Sequence, residues 1–331
     1  MVGGIRSLVE QAMLAPSVHN VQPARWRIED GAALLLEEAG RRLAVADPRG
    51  NDAAISLGAA AEGLRLAASR DGLSAVAETD ALPKPAGGLR PVARYRFVPG
   101  AEADPLASLV DARRSWRGAF ERPTPADRAA ALALAGEDAA VCADADALRE
   151  MARRFDRASY GFMRDPAFRR ELVSWMRLSR RHPRWSADGL NAEAMAMGRI
   201  EALGAGVVLG PAFRPLDRIG LAPALLAEGS KVAGSAALVV FHRPEAEDPF
   251  VSGGHFYRLW LRLEAAGFGA AVLAALADDP DAAREVADLT GIPAGRRVVS
   301  AFRIGRRPPR AQAPRARRPI EEVLVEGGQA G

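Results

Sequence analysis

The sequence predicts an α+β fold built from two degenerate copies of one helix-and-strand unit, the second interrupted by a helical insertion. Three observations predict it. Helix-period and strand-period patterns alternate along the 331 residues. An ungapped internal match joins "GAAAEGLRLAASRDGL" (58–73) to "GGHFYRLWLRLEAAGF" (253–268) at an offset of 195, pairing Gly58 with Gly253, Leu64 with Leu259 and Gly72 with Gly267. Between 145 and about 230 the chain changes character and becomes rich in arginine and aromatics. These place the first copy at 1–100, the second at 101–331, and the insertion, a candidate lid, at about 150–230, all around one mixed, mainly antiparallel sheet.

Each element has its own warrant. Ile5, Leu8, Val9, Ala12 and Met13 recur at helical spacing, and Pro16 stops the helix. "ARWRIEDGAALLLEE" holds two apolar runs around Asp30-Gly31, a hairpin signal. A long small-residue helix follows and ends at Gly72. "ARYRFVP" reads as a strand and "DPLASLVDARRSWRGAF" as a short helix running into a loop. Thr124-Pro125 caps and opens the next helix. After the insertion, broken at His182-Pro183, "SAALVVFHR" is a near-continuous apolar strand and so a central one. Two helices, the strand "VVSAFRIG" and a basic tail complete the chain.

Composition narrows the function classes. Apolar residues make up 49% and charged residues 26%, as in ordinary globular proteins. No run is long and apolar enough for a membrane span, and the N-terminus lacks the apolar core of a secretory signal. The expected setting is the cytoplasm, with no membrane partner. Cys142 is the lone cysteine, which excludes a disulfide framework within one chain. His19, His182, His242 and His255 show no ligand spacing, so no metal is expected. The net charge is +4, and 43 of the 45 basic residues are arginine, a side chain whose planar fork suits phosphate and carboxylate. The tail "RIGRRPPRAQAPRARRP" admits a nucleic-acid arm, yet no nucleic-acid-binding signature accompanies it, and no nucleic-acid partner is expected. No P-loop or G-x-S-x-G motif occurs.

Two stretches carry chemistry. In "RRSWR" (113–117), arginines bracket a serine hydroxyl at a helix-to-loop junction, which is either a solvated basic turn or a grip on a phosphate. "LAPSVHNVQP" (14–23) crowds short polar side chains behind the first helix. The aromatics Tyr160, Phe162, Phe168, Trp175 and Trp185 read as helix packing, with a lid lining as the alternative.

Together, "RRSWRGAF" and "APSVHNVQP" resemble the two signature segments of the nitroreductase superfamily, R-R/H-S-x-R/K and A-P-S-x-x-N-x-Q-P-W. The "GFG" after the second long helix and the R-x-R-x-P-I-E-E-V tail are similar too. Each half-motif occurs once, in opposite copies, as in the duplicated single-chain Acg-like branch, which carries a lid. The resemblance implies one FMN in the seam of a monomer that is an internal pseudo-dimer. It implies that Arg113 and Ser115 contact the phosphate, with Arg315 and Arg317 closing on it, and that Arg117 lies near flavin N1 and O2. Ser17, Asn20 and Gln22 would hydrogen-bond flavin and ribityl oxygens, and Gly267 and Gly269 would bring backbone amides to the N5 edge. The implied activity is ping-pong reduction of an electron-poor small molecule, a quinone or nitroaromatic, by NADH or NADPH; the alternative is an FMN store with a closed lid. His19 is open between loop filler and cofactor contact. Ala24 stands where the family has tryptophan, and Trp26 is the candidate to fill that space.

Overall fold

The computed structural model describes residues 2–326 except 79, 81, 310 and 312. Its first half opens with α1 (Val2–Ala12), whose Ile5, Leu8, Val9 and Ala12 are buried against α2 (Asn51–Arg70). The hairpin of β1 (Ala24–Glu29) and β2 (Ala32–Glu38) turns at Asp30-Gly31, where Gly31 takes φ +69°, a conformation that glycine adopts without strain. β3 (Leu73–Glu78) and β4 (Leu89–Pro99) complete a sheet of order β1-β2-β4-β3.

In the second half, α3 (Pro125–Leu132) starts with the expected cap: Thr124 Oγ1 accepts from Asp127 N, and Asp127 Oδ2 from Thr124 N. β5 (Ala139–Cys142) is followed by the insertion. It comprises α4 (Ala145–Arg164), α5 (Pro166–Trp175), β6 (Met176–Arg177), β7 (Leu190–Asn191), α6 (Arg199–Leu209), α7 (Phe213–Arg218), α8 (Ala222–Leu226) and α9 (Gly229–Ala233). β8 (Ala237–Pro244), α10 (Pro249–Ala265), β9 (Gly269–Val272), α11 (Ala275–Asp278), α12 (Pro280–Thr290) and β10 (Arg296–Gly305) follow. The second sheet has order β5-β8-β10-β9, with the apolar β8 in its interior as its composition predicts. A last turn, α13 (Ile320–Val323), lies on β1.

One mixed central sheet is therefore not what forms. There are two four-stranded sheets, and every pair within them is antiparallel. The reason is the same in both. The long helix (α2 or α10) leads to a strand that is not the neighbour of the one before it, because β4 or β10 lies between and runs antiparallel to both. Parallel pairing is confined, among the described residues, to the short β6–β7 pair and two edge bridges. Those bridges are where each half crosses to the other. After β4 the chain lays Trp116 beside β9, its N–H donating to Ala270 O at 2.8 Å; after β10 it lays Val325 beside β1, donating to Trp26 O at 2.7 Å.

α2 and α10 cross at a contact that tolerates only glycine. A Cβ on Gly58 would lie 1.9 Å from Phe250 O, and one on Gly253 2.2 Å from Ile55 O. Leu148, Met151 and Ala152 of α4 and Val232 of α9 share a hydrophobic cluster with Leu238 and Val240 of β8. No described helix is long and apolar enough to cross a membrane.

Candidate functional site

The loop after α1 is the most distorted backbone in the chain. Of the four described non-glycine residues with positive φ, three are His19 (φ 42°), Asn20 (54°) and Gln22 (52°). Such backbone persists only where its surroundings over-determine it. Here they do. Ser17 Oγ accepts from Gln22 N (3.0 Å), and Val18 N donates to Ser56 Oγ on α2 (3.1 Å). Asn20 Nδ2 donates to Gly189 O and Ala316 O, both at 3.2 Å. Gln22 Nε2 donates to Ala187 O (2.8 Å), while its Oε1 accepts from Arg318 N (3.1 Å). The loop is thus tied at once to α2, to the insertion and to the C-terminal tail.

Beside it lies a cluster of guanidinium groups. Arg113 is 3% exposed and stacks over Trp260 at 4.6 Å. Its Nη2 donates to Leu14 O (3.0 Å), but Nε and Nη1 are buried without a partner. Arg315 Nη2 donates to Val110 O (3.0 Å) and Arg113 O (2.8 Å), and its Nε is likewise unpartnered. Burial, then the charges of Arg113 and Arg114, pull Arg315 down to about 10. Burial also lowers Arg113 and Arg117, and Arg117 makes no described hydrogen bond or ion pair. Buried positive charge this concentrated, with nitrogens left without acceptors, is costly to the fold by itself.

These groups line one cavity of about 360 Å³, within the size range of small-molecule sites. It is lined by Phe256 and Trp260 of α10, by Phe155, Phe162 and Met163 of α4 and by Phe168 of α5. Phe162 and Phe168 stack with centroids 5.4 Å apart. The insertion is pinned in place by Asp188, which is 2% exposed and accepts from Arg177 (2.8 Å), Arg184 (2.9 Å) and Arg41 (3.2 Å). Burial alone would raise Asp188, but the hydrogen bonds from Arg177 and Arg184 outweigh it and hold the carboxyl below its ordinary range.

Three titratable groups in the cavity are poised oppositely. Burial and then Arg117 lower His19 to about 4, so its imidazole is neutral; its buried Nδ1 has no partner. Burial, then the neighbouring charges of Asp278 and Asp47, push Asp52 well above its ordinary value. Asp278, at the end of α11, is raised to about 7 by desolvation and Asp47. Neither Asp52 nor Asp278 has a described side-chain hydrogen bond or ion pair.

Of the sequence-predicted residues, Arg113, Ser115, Arg117, Ser17, Asn20, Arg315 and Arg317 all reach this cavity. Arg317, however, is consumed by the chain itself. It donates to Met13 O (2.7 Å), Leu14 O (2.9 Å), Ala15 O (3.0 Å) and Asn20 Oδ1 (3.0 Å). Asn20 is spent in the same way, so both shape the loop. Gln22 does not reach the cavity; its amide staples the loop from behind. Gly267 and Gly269 do not reach it either. They sit at the start of β9, under Arg306, Arg307 and Phe120, whereas the cavity is lined from the other end of that strand by Val272, Ala274 and Ala275. Trp26 does not fill the outer wall, because it is fully buried in the first core against Tyr95. Sequence reasoning missed Asp52, Asp278 and Phe155. The only available signal was an acid in the first turn of a long helix, which ordinarily marks helix capping.

No family model matches the chain. "Putative NAD(P)H nitroreductase Rv3131" of Mycobacterium tuberculosis H37Rv is 28% identical over 173 residues, 52% of this chain and 50% of that protein. "Putative NAD(P)H nitroreductase acg" of the same strain is 38% identical over 74 residues, 22% of each. The match thus spans about half the length of the first of these relatives. Among solved structures, a nitroreductase with bound FMN from Bacteroides fragilis is 14% identical over 63% of this chain and 91% of its own, with a TM-score of 0.35. The FMN-dependent nitroreductase NfnB from Mycobacterium smegmatis, in complex with NADPH, is 18% identical over 61% and 87%, with a TM-score of 0.34. In sequence, the chain is similar to the nitroreductase superfamily, and to its Acg-like proteins among them.

Proposed function

We propose that the chain is an FMN-binding oxidoreductase of the nitroreductase type, which uses NADH or NADPH to reduce an electron-poor small molecule such as a quinone or nitroaromatic. One observation carries the reading: Arg113, buried, with two N–H-bearing nitrogens left without acceptors beside Arg114 and Arg315 at the cavity. An anionic phosphate supplies the acceptors and charge that this end lacks. Phe155, Phe162, Phe168 and Trp260, which all line the cavity, suit a planar ring. The residues therefore fit FMN.

Arg113, Arg114, Arg315 and the Ser115 hydroxyl would hold the phosphate, and Arg117 and His19 would meet the polar edge of the ring. Arg117, charged and without a partner, favours electron density on the group beside it. Neutral His19 offers both a donor and an acceptor. Asn20, Gln22 and Arg317 keep the loop in shape, and the insertion excludes water from the aromatic wall. FMN, when bound, supplies hydride acceptance and release.

The two-copy reading, with halves 1–100 and 101–331, belongs to the same proposal. It is supported by the matching strand orders, by the helix placed identically in each, and by the reciprocal glycine contact, since Phe250 lies 195 residues after Ile55 and Gly253 195 after Gly58. A monomer with one FMN per chain follows from it. A second reading, an FMN store without turnover, is favoured by the pinning of the insertion through Asp188.

Purified protein is expected to carry about one FMN per chain. Replacing Arg113 and Ser115 together with alanine should weaken FMN about 100-fold or more, as read by equilibrium titration of apoprotein. Colourless protein that also refuses added FMN overturns both readings. Flavin bleached by dithionite but by neither nicotinamide selects the store.

A further inference from the structure

We propose that the outer face of the insertion, presented by α6, α7 and α8, docks on an anionic lipid bilayer. Ile200, Leu203 and Val207 stand at positions i, i+3 and i+7 of α6, so they share one helix face. All three are exposed, Ile200 to 87% and Leu203 to 74%. Ile219, Leu221 and Leu225, in α8 and the turn before it, are exposed as well. Six of the twelve large apolar side chains exposed among the described residues therefore fall between positions 200 and 225. Scattered singly, such residues need no explanation; gathered in one part of the fold, they mark an interaction surface.

The helices that carry them form one layer. Ala205 and Leu209 lie on the opposite side of α6 from the exposed face. They join Leu226 of α8 in a single apolar cluster with Leu172, Met176 and Leu190. α7 packs against both α6 and α8. The layer thus turns its smaller apolar face inward and leaves the isoleucines and leucines listed above in solvent. No described helix is long and apolar enough to cross a bilayer, which bears on spanning it and not on lying against it.

The chemistry of the face selects the occupant. From Arg199 to Ala227 only five side chains are polar, and all five are charged: Arg199, Glu201, Arg214, Asp217 and Arg218. The stretch contains no hydroxyl, amide or imidazole. Both acids are engaged within the fold, Glu201 by Gly198 N at 2.7 Å and Asp217 by the Tyr160 hydroxyl. The three arginines are exposed and make no described side-chain hydrogen bond or ion pair. Arg214 and Arg218, four residues apart on α7, share a side of that helix. A protein partner calls for roughly one hydrogen bond per 100–200 Å² of interface, and here only guanidinium groups are free to make one. A bilayer makes no such demand on aliphatic side chains, which enter its headgroup boundary, while its phosphates accept from the arginines.

Vesicle binding by the purified full chain tests this apart from the flavin reading, because FMN content plays no part in it. The protein should co-sediment with phosphatidylcholine vesicles containing about 30% phosphatidylglycerol, and about 10-fold more weakly with phosphatidylcholine alone. Ile200→Gln together with Leu203→Gln, at exposed positions outside the described core clusters, should weaken binding about 10-fold or more. Arg214→Gln together with Arg218→Gln should weaken it by a similar factor of about 10. Leu132→Gln, at an exposed leucine of α3 outside the insertion, should leave binding unchanged. Absence of binding to the anionic vesicles overturns the inference. So does binding that survives the Ile200 and Leu203 changes, which is then the general attraction of a basic chain. A dimer in vesicle-free solution that the same two changes dissolve into monomers also overturns it, and gives the face to a second copy of this chain.

Discussion

The beginnings of α2 and α10 stand at matching places on two sheets of the same strand order, and they carry opposite electrostatics. Before α10, Glu247 accepts from Arg243 at 2.8 and 2.6 Å and from Ser252 at 2.8 Å, and Arg297 bonds the same serine at 3.0 Å. Asp138 is engaged by Arg243 and by Arg296 (3.1 Å), and His242 Nδ1 accepts from Arg296 (2.7 Å). Hydrogen bonding from Arg243 holds Glu247 down at about 2. At the beginning of α2, Asp52 has no such partner, and across the cavity Arg113 Nε and Nη1 and Arg315 Nε are buried without acceptors. One end of the fold is closed by its own ion pairs. The other leaves a carboxyl and several guanidinium nitrogens without partners around a cavity, an arrangement that costs stability.

The widest test is of the symmetry that makes the comparison meaningful. Gly58→Ala and Gly253→Ala each drive a Cβ into a backbone carbonyl of the opposite helix, at 1.9 and 2.2 Å, so neither is relieved by a rotamer change. Each should cost about 3 kcal/mol in denaturant unfolding. The double variant should lose less than the sum, because one separation of α2 from α10 relieves both clashes. Strict additivity would mean that the two contacts are independent.

The next test sets the two carboxyls against each other. Glu247→Gln removes charge-assisted hydrogen bonds and should cost about 2 kcal/mol at pH 7. Because the folded-state pKa of Glu247 is depressed, that stabilisation is present above its unfolded pKa and is lost as pH falls toward about 2. Asp52 has the opposite sign. Its raised pKa means that the native state binds more protons than the unfolded chain, so stability falls as pH rises above the ordinary aspartate range. Asp52→Asn should therefore be neutral at pH 4 and stabilising at pH 8. Equal losses from both variants at pH 8 would erase the contrast.

Much of this site is legible in sequence because it rests on short-range chemistry. The Arg113–Arg117 cluster, the Ser17–Asn20 loop, the hairpin at Gly31 and the cap at Thr124 each announce themselves within a few residues. What is not legible depends on pairing at long range. Whether Asn20 and Gln22 face a ligand or staple a loop is decided by Ala187, Gly189, Ala316 and Arg318, which arrive from the far side of the chain. Which end of β9 lines the cavity follows from its register with β10, where Gly269 pairs with Gly305 under Phe120 and Val272 lies at the open end. Asp52 and Asp278 carry no mutual signal at all, since only the tertiary fold brings α2 and α11 to the lining of one cavity.

His19 offers the smallest effect and the finest reading of the open half. Its backbone sits at φ 42°, ψ 18°, a region that asparagine tolerates nearly as well as glycine, so His19→Asn keeps the loop and removes only the titration. Burial, reinforced by Arg117, holds the imidazole at about 4, against an ordinary value of 6.5. The native state then binds fewer protons than the unfolded chain between those values, and stability declines as pH falls through that window. The wild type should lose about 1 kcal/mol more than His19→Asn between pH 7 and pH 5.5, measured as the difference of their unfolding free energies. Parallel pH profiles would mean that the imidazole is not held neutral by burial and Arg117. The open half would then owe its unpaired state to geometry alone, with no electrostatic coupling between the strained loop and the arginines it faces.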